Sequence, residues 1–521
     1  MTRLTIDQRE VEVPEGATLL DAARKLGIDI PALCFRESCR PSTSCLVCVV
    51  GLGGPERLVP SCATAAAEGM QIESETPAVH QARRTALELL LSDHLGDCVA
   101  PCQFGCPAQM DIPTMLRQIA AGELRQAIAT VKRDIALPAV LGRICSAPCE
   151  KVCRRRDLDA AVSICLLKRM VADVDLASDD PYLPACRPST GKRVAILGAG
   201  PTGLSAAYYL RQLGHACTLL DENPLPGGRL RIETTERELP RTVLEAEIAT
   251  ITRLGIDLEM GKRVGADAGL ADLRARFDAV LLACGATARQ QAEAWGLPVT
   301  QRGVEVKPRT HQTSEPAVFA AGCAVRGKAL AIRSVADGKE AAAAIDQFLS
   351  GLPVTGCVEP FSVKIGRMHG EELAHFAAEA SGTPRREPDG GRDVGLTPAE
   401  GAVQAARCLH CDCRGLGSCK LRKYAALYQA HPRRFQGQRR VFTHDARHAE
   451  IIYEPGKCID CGLCIQIAAA AGERLGLGFV GRGFDVRVAV PLDRSLAEAL
   501  TKAAAECVAA CPTAALAWKH D

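Results

Sequence analysis

The sequence predicts a multidomain chain of mixed α/β and α+β class, arranged around one Rossmann-like unit with cysteine-rich segments on both sides. Three observations predict it. The 521 residues leave room for three or four separate cores. Residues 193–228 read as strand, glycine turn, helix and second strand: the apolar run Val194–Leu197, then Gly198-x-Gly200-x-x-Gly203, a helix from Leu204 to Leu213 stopped by Gly214, and a second run Cys217–Leu220 ending on Asp221. Finally, 26 cysteines fall in closely spaced groups before and after that unit.

Bulk properties exclude several classes. A net charge of +2 and a pI near 7.7 give no electrostatic case for nucleic acid or an anionic membrane. The start, MTRLTIDQREVEV, is polar and alternating rather than signal-like, and no apolar run approaches a membrane span. The expected location is the cytoplasm. Disulfides are disfavoured there, whereas two- and three-residue cysteine spacings suit metal clusters. Iron–sulfur ligation is the leading reading and structural zinc its rival.

Residues 1–75 open with alternating strands around Leu4/Ile6 and Val11/Val13. A helix follows from Thr18, with Leu19, Ala22, Ala23 and Leu26 on one face and Gly27 at its end. Cys34, Cys45, Cys48 and Cys62 then give C-x10-C-x2-C-x13-C. This resembles a plant-type [2Fe–2S] ferredoxin domain of β-grasp fold, with the long first gap of the large iron–sulfur subunit of respiratory complex I and related hydrogenases. Zinc sites favour two close CxxC pairs. Cys39 reads as a bystander.

Residues 76–185 read as helical and carry His94-x3-Cys98-x3-Cys102-x3-Cys106-Pro, then Cys145-x3-Cys149-x3-Cys153. The words CQFGCPAQMDIP and GRICSAPCEKVC resemble the N-terminal domain of the glutamate synthase small subunit and of dihydropyrimidine dehydrogenase. The resemblance implies two [4Fe–4S] clusters, one on Cys98, Cys102 and Cys153 and the other on Cys106, Cys145 and Cys149. The family's first cysteine is missing. His94 is either a ligand, as in the HxxxC set of complex I, or a solvated surface histidine. Cys165 either completes the second cluster or leaves it with an open site.

Residues 190–350 hold the nucleotide fold. Gly198, Gly200 and Gly203 serve the tight turn, the close approach of backbone N–H groups to a pyrophosphate, and helix–strand packing, while Asp221 can accept from a ribose hydroxyl. A second match, Gly476-x-Gly478-x-x-Gly481, lacks the strand–turn–helix frame. The turn Pro226-Gly227-Gly228 is typical of flavin-binding relatives. DAVLLACGA (278–286, with Gly285) and VFAAGCAVRGKALAIRSVADGKEAAAAI (318–345, with Gly322) resemble the closing segments of the flavin domain in the same family. They imply FAD. Cys323 replaces the family's aspartate; one lost hydrogen bond is worth about 1–3 kcal/mol and would weaken FAD without abolishing its binding. In that family a second Rossmann unit holds NADPH between the closing segments. Here only about 30 residues separate Gly285 from Phe319, too few for a βαβαβ half. The nicotinamide domain is therefore expected to be missing. A degenerate scaffold with an empty site is the other reading.

Residues 351–400 read as a linker, with SGTPRREPDGGRDVG (381–395) exposed. Residues 401–521 form a ferredoxin-like region. Cys408, Cys411, Cys413 and Cys419 suit a third [4Fe–4S] cluster or a compact zinc site, with His410 beside the ligands or exposed. The stretch 431–448 carries five arginines and reads as a solvated loop or a dock for an acidic partner. Cys458-x2-Cys461-x2-Cys464, with Cys511 before Pro512, resembles the two-cluster ferredoxin domain of complex I-like subunits with one cluster deleted; Cys507 is the remnant. Cys186, Cys217, Cys284 and Cys357 read as small apolar packing residues.

The whole resembles the glutamate synthase small subunit-like FAD/iron–sulfur oxidoreductases, as a mosaic without the NAD(P)-binding domain. It implies FAD, one [2Fe–2S] and four [4Fe–4S] clusters in an electron-transfer subunit of a multi-subunit cytoplasmic enzyme. No nucleophile–base set marks a catalytic residue. Expected partners are an NAD(P)H-oxidising flavoprotein, a molybdenum or tungsten oxidoreductase, or a ferredoxin. The alternatives are a self-contained NAD(P)H-dependent oxidoreductase and a cluster-bearing scaffold with an inactive flavin site.

Overall fold

The structure is a computed structural model that describes residues 1–54, 56–263, 269–391 and 393–519. Arg392, within the stretch expected to be exposed, lies outside the described residues. The chain divides into two compact units, one of residues 1–99, 360–376 and 411–521, the other of residues 100–359 and 377–410.

In the first unit, alternation of apolar and polar residues in β1 (Thr2–Ile6) and β2 (Arg9–Val13) buries Leu4, Ile6, Val11 and Val13 on one face, with Leu4 opposite Val11. β3 (Val49–Leu52), β4 (Leu58–Pro60) and β5 (Gln71–Glu73) complete a sheet of order β2-β1-β5-β3-β4. The helix Leu19–Lys25 covers it. Thr18 and Asp21 form a capping box at its start, and Gly27, at φ +72°, lets the chain leave it.

In the second unit, the helices Ile112–Ala120, Leu124–Asp134, Pro138–Ile144 and Ile164–Leu176 pack with a parallel sheet of β6 (Arg193–Leu197), β7 (Ala216–Asp221), β8 (Asp257–Met260), β9 (Ala279–Leu282) and β10 (Val318–Ala320). Its order, β10-β9-β6-β7-β8, puts the glycine turn at the centre, where strand order reverses. The helix Pro201–Gln212 lies along Ala331–Leu349. A Cβ at Gly338 would stand 2.4 Å from the Thr202 carbonyl oxygen, so the glycine lets the two backbones meet. Between β9 and β10, residues 283–317 form a 3-10 turn, one short helix (Ala288–Ala294) and two isolated bridges (Val299 with Val304, Gln312 with Phe319), with no strand among the described residues.

Buried Glu247 joins the sheet helices to the cysteine-bearing ones by accepting the Ala139 and Val140 N–H groups, each at 2.8 Å. Burial pushes its carboxyl up to about 7. Unfolded glutamate titrates near 4.3, so between these values the folded state holds a proton that the unfolded state has released, and stability falls as pH rises. Glu247→Gln is expected to flatten the decline of melting temperature between about pH 4.3 and pH 7. An unchanged slope in calorimetry would show that Glu247 is ionised throughout.

The C-terminal part of the first unit carries β11 (Ile451–Tyr453) paired with β14 (Leu516–Trp518), and β12 (Gly478–Val480) paired with β13 (Arg487–Ala489). Ile451, Val488, Leu496, Leu500, Cys507 and Leu516 form its core.

Candidate cluster cages and nucleotide cradle

In the first unit, Cys34, Cys45, Cys48 and Cys62 are all buried, on the loops that enter β3 and leave β4. Cys34 and Cys45 have their sulfurs 3.3 Å apart. That contact lowers the Cys34 thiol to about 5 and raises that of Cys45, while Cys62 lowers Cys48 to about 7. In each pair one thiol sheds its proton readily while its neighbour holds on to its own, and the four crowded sulfurs form a metal-ready donor set. Cys39 packs instead against the 451–516 core.

A second set in the same unit joins distant segments. The Cys98 N–H donates to Val363 O, and its own carbonyl accepts from Cys413 N, both at 3.3 Å. Burial, together with the thiols of Cys413 and Cys98, pushes the Cys419 thiol up to about 12. His94 stands by Lys457, since a Cβ on Gly96 would lie 2.9 Å from Lys457 Cε and 3.5 Å from His94 Nε2. Burial and then Lys457 push the imidazole down to about 4, so it is neutral at pH 7. Its buried Nδ1 has no hydrogen-bond partner among the described residues. A buried, neutral imidazole with an orphaned nitrogen has a ligand's chemistry. Cys98, expected with Cys102 and Cys153, is thus brought to Cys413 and Cys419.

Cys458, Cys461, Cys464 and Cys511 line one cavity with Tyr453 and Val488. Burial pushes Cys461 up to about 12. The Leu516 N–H points at Cys511 Sγ and the Asp460 N–H at Cys458 Sγ, each at 3.4 Å, the kind of donor that stabilises a cluster thiolate. Cys507 is fully buried, and its thiol donates to Cys464 O at 3.7 Å.

In the second unit, Cys106, Cys145, Cys149 and Cys165 line one cavity, and Lys168 is the only charged residue among its walls. Cys165 therefore joins the set that sequence left open. Its N–H donates to Glu150 Oε1 at 2.9 Å, and Arg385 holds the other oxygen. Hydrogen bonding from Cys165 lowers the Cys145 thiol to about 6. Burial alone would lower the Lys168 ammonium; the four cysteine sulfurs, Cys165 first, outweigh it and hold it above its usual range.

Cys102, Cys153 and Cys408 pack on the same core. The helix Pro101–Gly105 lies on Pro148–Lys151, where a Gly105 Cβ would stand 3.4 Å from Cys149 Cα. Arg155, two residues past Cys153, donates to the carbonyl of Arg407 at 2.6 Å, and fully buried Arg407 binds Asp159, Ala160 and Ala161. This lattice fixes Cys408 beside the 153–161 turn. Cys411, the next cysteine, starts the following stretch of the first unit.

The arginine-rich stretch 431–448 pairs four of its five arginines with acids of its own unit. Arg434 pairs with Glu88, Arg439 with Glu372, Arg440 with Asp93 and Arg447 with Asp445. Arg439 holds the buried Glu372 carboxyl near 2.

The nucleotide cradle is a backbone feature. Gly198 sits at φ +109°, where an added Cβ would lie 2.6 Å from Ala283 O; at Gly203 it would lie 1.9 Å from Gly198 O, and at Gly228 2.9 Å from Gly200 Cα. The two glycine turns thus press together as a side-chain-free wall that suits a pyrophosphate. Asp221 accepts from Ala199 N at 2.7 Å and from Asn223, so its carboxylate braces the turn. Gly322, at φ +67°, abuts Thr202. Gly227 and Gly285 also adopt positive φ. Cys323 finds Arg229 Nη1 at 3.6 Å.

Comparison with known proteins follows the same division. Residues 1–77 match the 2Fe–2S iron–sulfur cluster binding domain, residues 67–179 the dihydropyrimidine dehydrogenase domain II, 4Fe–4S cluster, and residues 164–338 the pyridine nucleotide-disulphide oxidoreductase domain. These three matches support an FAD/iron–sulfur oxidoreductase. This oxidoreductase is 37% identical over 189 residues to the NADPH-Fe(3+) oxidoreductase subunit beta of Geobacter sulfurreducens, covering 36% of this chain and 28% of that one. It is 37% identical over 207 residues to the NADP(+)-dependent formate dehydrogenase subunit beta of Moorella thermoacetica, covering 36% and 29%. With the NAD-dependent dihydropyrimidine dehydrogenase subunit PreT of Salmonella typhimurium it shares 34% over 211 residues, covering 40% and 49%. The chain thus spans half or less of the length of each of these relatives. No helix among the described residues is long and apolar enough to cross a membrane.

Proposed function

We propose that this oxidoreductase is an electron-relay subunit, carrying FAD, one [2Fe–2S] cluster and four [4Fe–4S] clusters between partner redox proteins. The observation that carries this reading is the gathering of nearly all the spaced cysteines into buried donor sets in a chain with one nucleotide cradle among its described residues. The [2Fe–2S] set is Cys34, Cys45, Cys48 and Cys62. The cubane sets are His94/Cys98/Cys413/Cys419, Cys106/Cys145/Cys149/Cys165 and Cys458/Cys461/Cys464/Cys511, with the fourth on Cys102, Cys153 and Cys408. Gly198, Gly200, Gly203, Gly227 and Gly228 wall the FAD pyrophosphate, and Gly285, Gly322 and Cys323 its far side. Bound FAD supplies the exchange of electron pairs for single electrons. The chain's part is to bury the thiolates, donate N–H groups to them and exclude water.

The stretch 283–317 has no strand for a second nucleotide domain, so the hydride donor belongs to a partner: an NAD(P)H-oxidising flavoprotein, a molybdenum or tungsten enzyme, or a ferredoxin. The purified chain is expected to hold about eighteen irons and releasable FAD. When NADH or NADPH is mixed in a stopped-flow cell, its flavin should stay oxidised over catalytic times. Rapid bleaching would mean a self-contained NAD(P)H oxidoreductase, and a lack of FAD in the heat-denatured supernatant would mean a scaffold. Zinc in place of iron would overturn the cluster reading altogether.

A further inference from the structure

Among the buried lysines of the described residues, Lys132 and Lys457 each hold a carboxylate, Asp175 and Glu454. Lys168 is 4% exposed and holds none. The nearby Glu150 is already taken by Arg385 and by the Cys165 N–H. A buried ammonium without a counter-charge costs several kcal/mol, so something in its cavity must compensate it. The walls there are Cys106, Cys145, Cys149, Cys165 and apolar side chains, among them Ile112, Ile135 and Ile332. Lys168 lies one turn after Cys165 on the helix Ile164–Leu176, on the same side as that ligand. By contrast, the cavity of Cys458, Cys461, Cys464 and Cys511 has no charged residue in its walls.

We infer that Lys168 is a potential-setting residue, whose ammonium raises the reduction potential of the cubane on Cys106, Cys145, Cys149 and Cys165. The inference rests on the proposed cluster reading. One electron from a low-potential donor adds one negative charge to the cavity, and no bond forms or breaks. The fixed positive charge of Lys168 offsets that addition in a medium of low dielectric, where the attraction is strong. Lys168 therefore makes this cubane a better acceptor than its ligands alone would. Its place in the relay is that of a station where electrons collect.

The test is a potentiometric titration of the whole chain with dithionite, read by electron paramagnetic resonance, with iron content measured in parallel. In Lys168→Met, one cubane step should move to lower potential by a tenfold or greater loss in its reduction equilibrium, 59 mV for one electron. The other steps should stay in place, and Lys168→Arg should keep the wild-type value. Lys168→Gln serves if the methionine variant loses the cluster. If both neutral variants lose about four irons and Lys168→Arg keeps them at the wild-type potential, the charge is required and the inference stands. An unshifted potential in a fully loaded neutral variant, or loss of the cluster in all three variants, would overturn it. Should Cys149→Ala leave iron unchanged, the cluster reading itself fails, a result distinct from an unshifted potential.

Discussion

Changing His94 to cysteine should leave the iron content at about eighteen and move one cubane to lower potential, whereas His94→Ala should lose about four irons. The imidazole is buried, neutral at pH 7 and has an orphaned Nδ1, and it stands near Lys457 in the unit that holds Cys98, Cys413 and Cys419. A neutral nitrogen ligand leaves a cluster less negative than a thiolate does, and so easier to reduce. Cys98→Ala, Cys413→Ala and Cys419→Ala should each erase the same resonance signal that His94→Ala erases. Cys102→Ala should erase a different one. If iron and every potential are unchanged in His94→Ala, His94 is a packing residue and the site has three protein ligands.

Gly203→Ala should release FAD on dialysis and lower the melting temperature. The new Cβ would lie 1.9 Å from the Gly198 carbonyl oxygen, a backbone atom that cannot swing aside. The helix Pro201–Gln212 would have to lift from β6, widening the turn that faces Gly228. Overpacking of this kind costs about 1–3 kcal/mol in stability. Absorbance of the released flavin and calorimetry read the two effects. A variant that retains full FAD at wild-type stability would show that the turn tolerates a side chain, contrary to the cradle described here. Cys323→Asp is the matched gain-of-binding control, since it restores the residue that the resemblance implies.

Much of this was legible in the sequence. The hairpin and helix of residues 1–27 follow from period-two alternation and a Thr-x-x-Asp cap, both local signals. The Rossmann turn follows from glycines framed by apolar runs. The donor types we propose were legible as well, because thiols at short spacings suit metal clusters. Their grouping was not. His94, Cys98, Cys102 and Cys106 stand in one regular run, and regular spacing suggests neighbours in space; yet Cys98 hydrogen-bonds to residues 363 and 413, a tertiary fact with no local trace. Cys408 looks local to Cys413 for the same reason, although buried Arg407 ties it to the 153–161 turn. Lys168 passed unremarked. The available signal was its position three residues after Cys165 in a helical pattern, which places it on the cysteine's face. For the arginines of 431–448, sequence counts charges but cannot see that Glu88 and Glu372 pair with two of them.

The seam at Cys98 also has a consequence in time. A ribosome releases His94 and Cys98 long before Cys413 and Cys419, at a rate of about 5–20 residues per second. The two early donors therefore wait roughly 15 to 60 seconds for the rest of their set, while the intervening stretch emerges and folds. Iron delivered early would meet an incomplete nest and be lost. Of the proposed sets, the one with His94 therefore waits longest between the release of its first donor and that of its last.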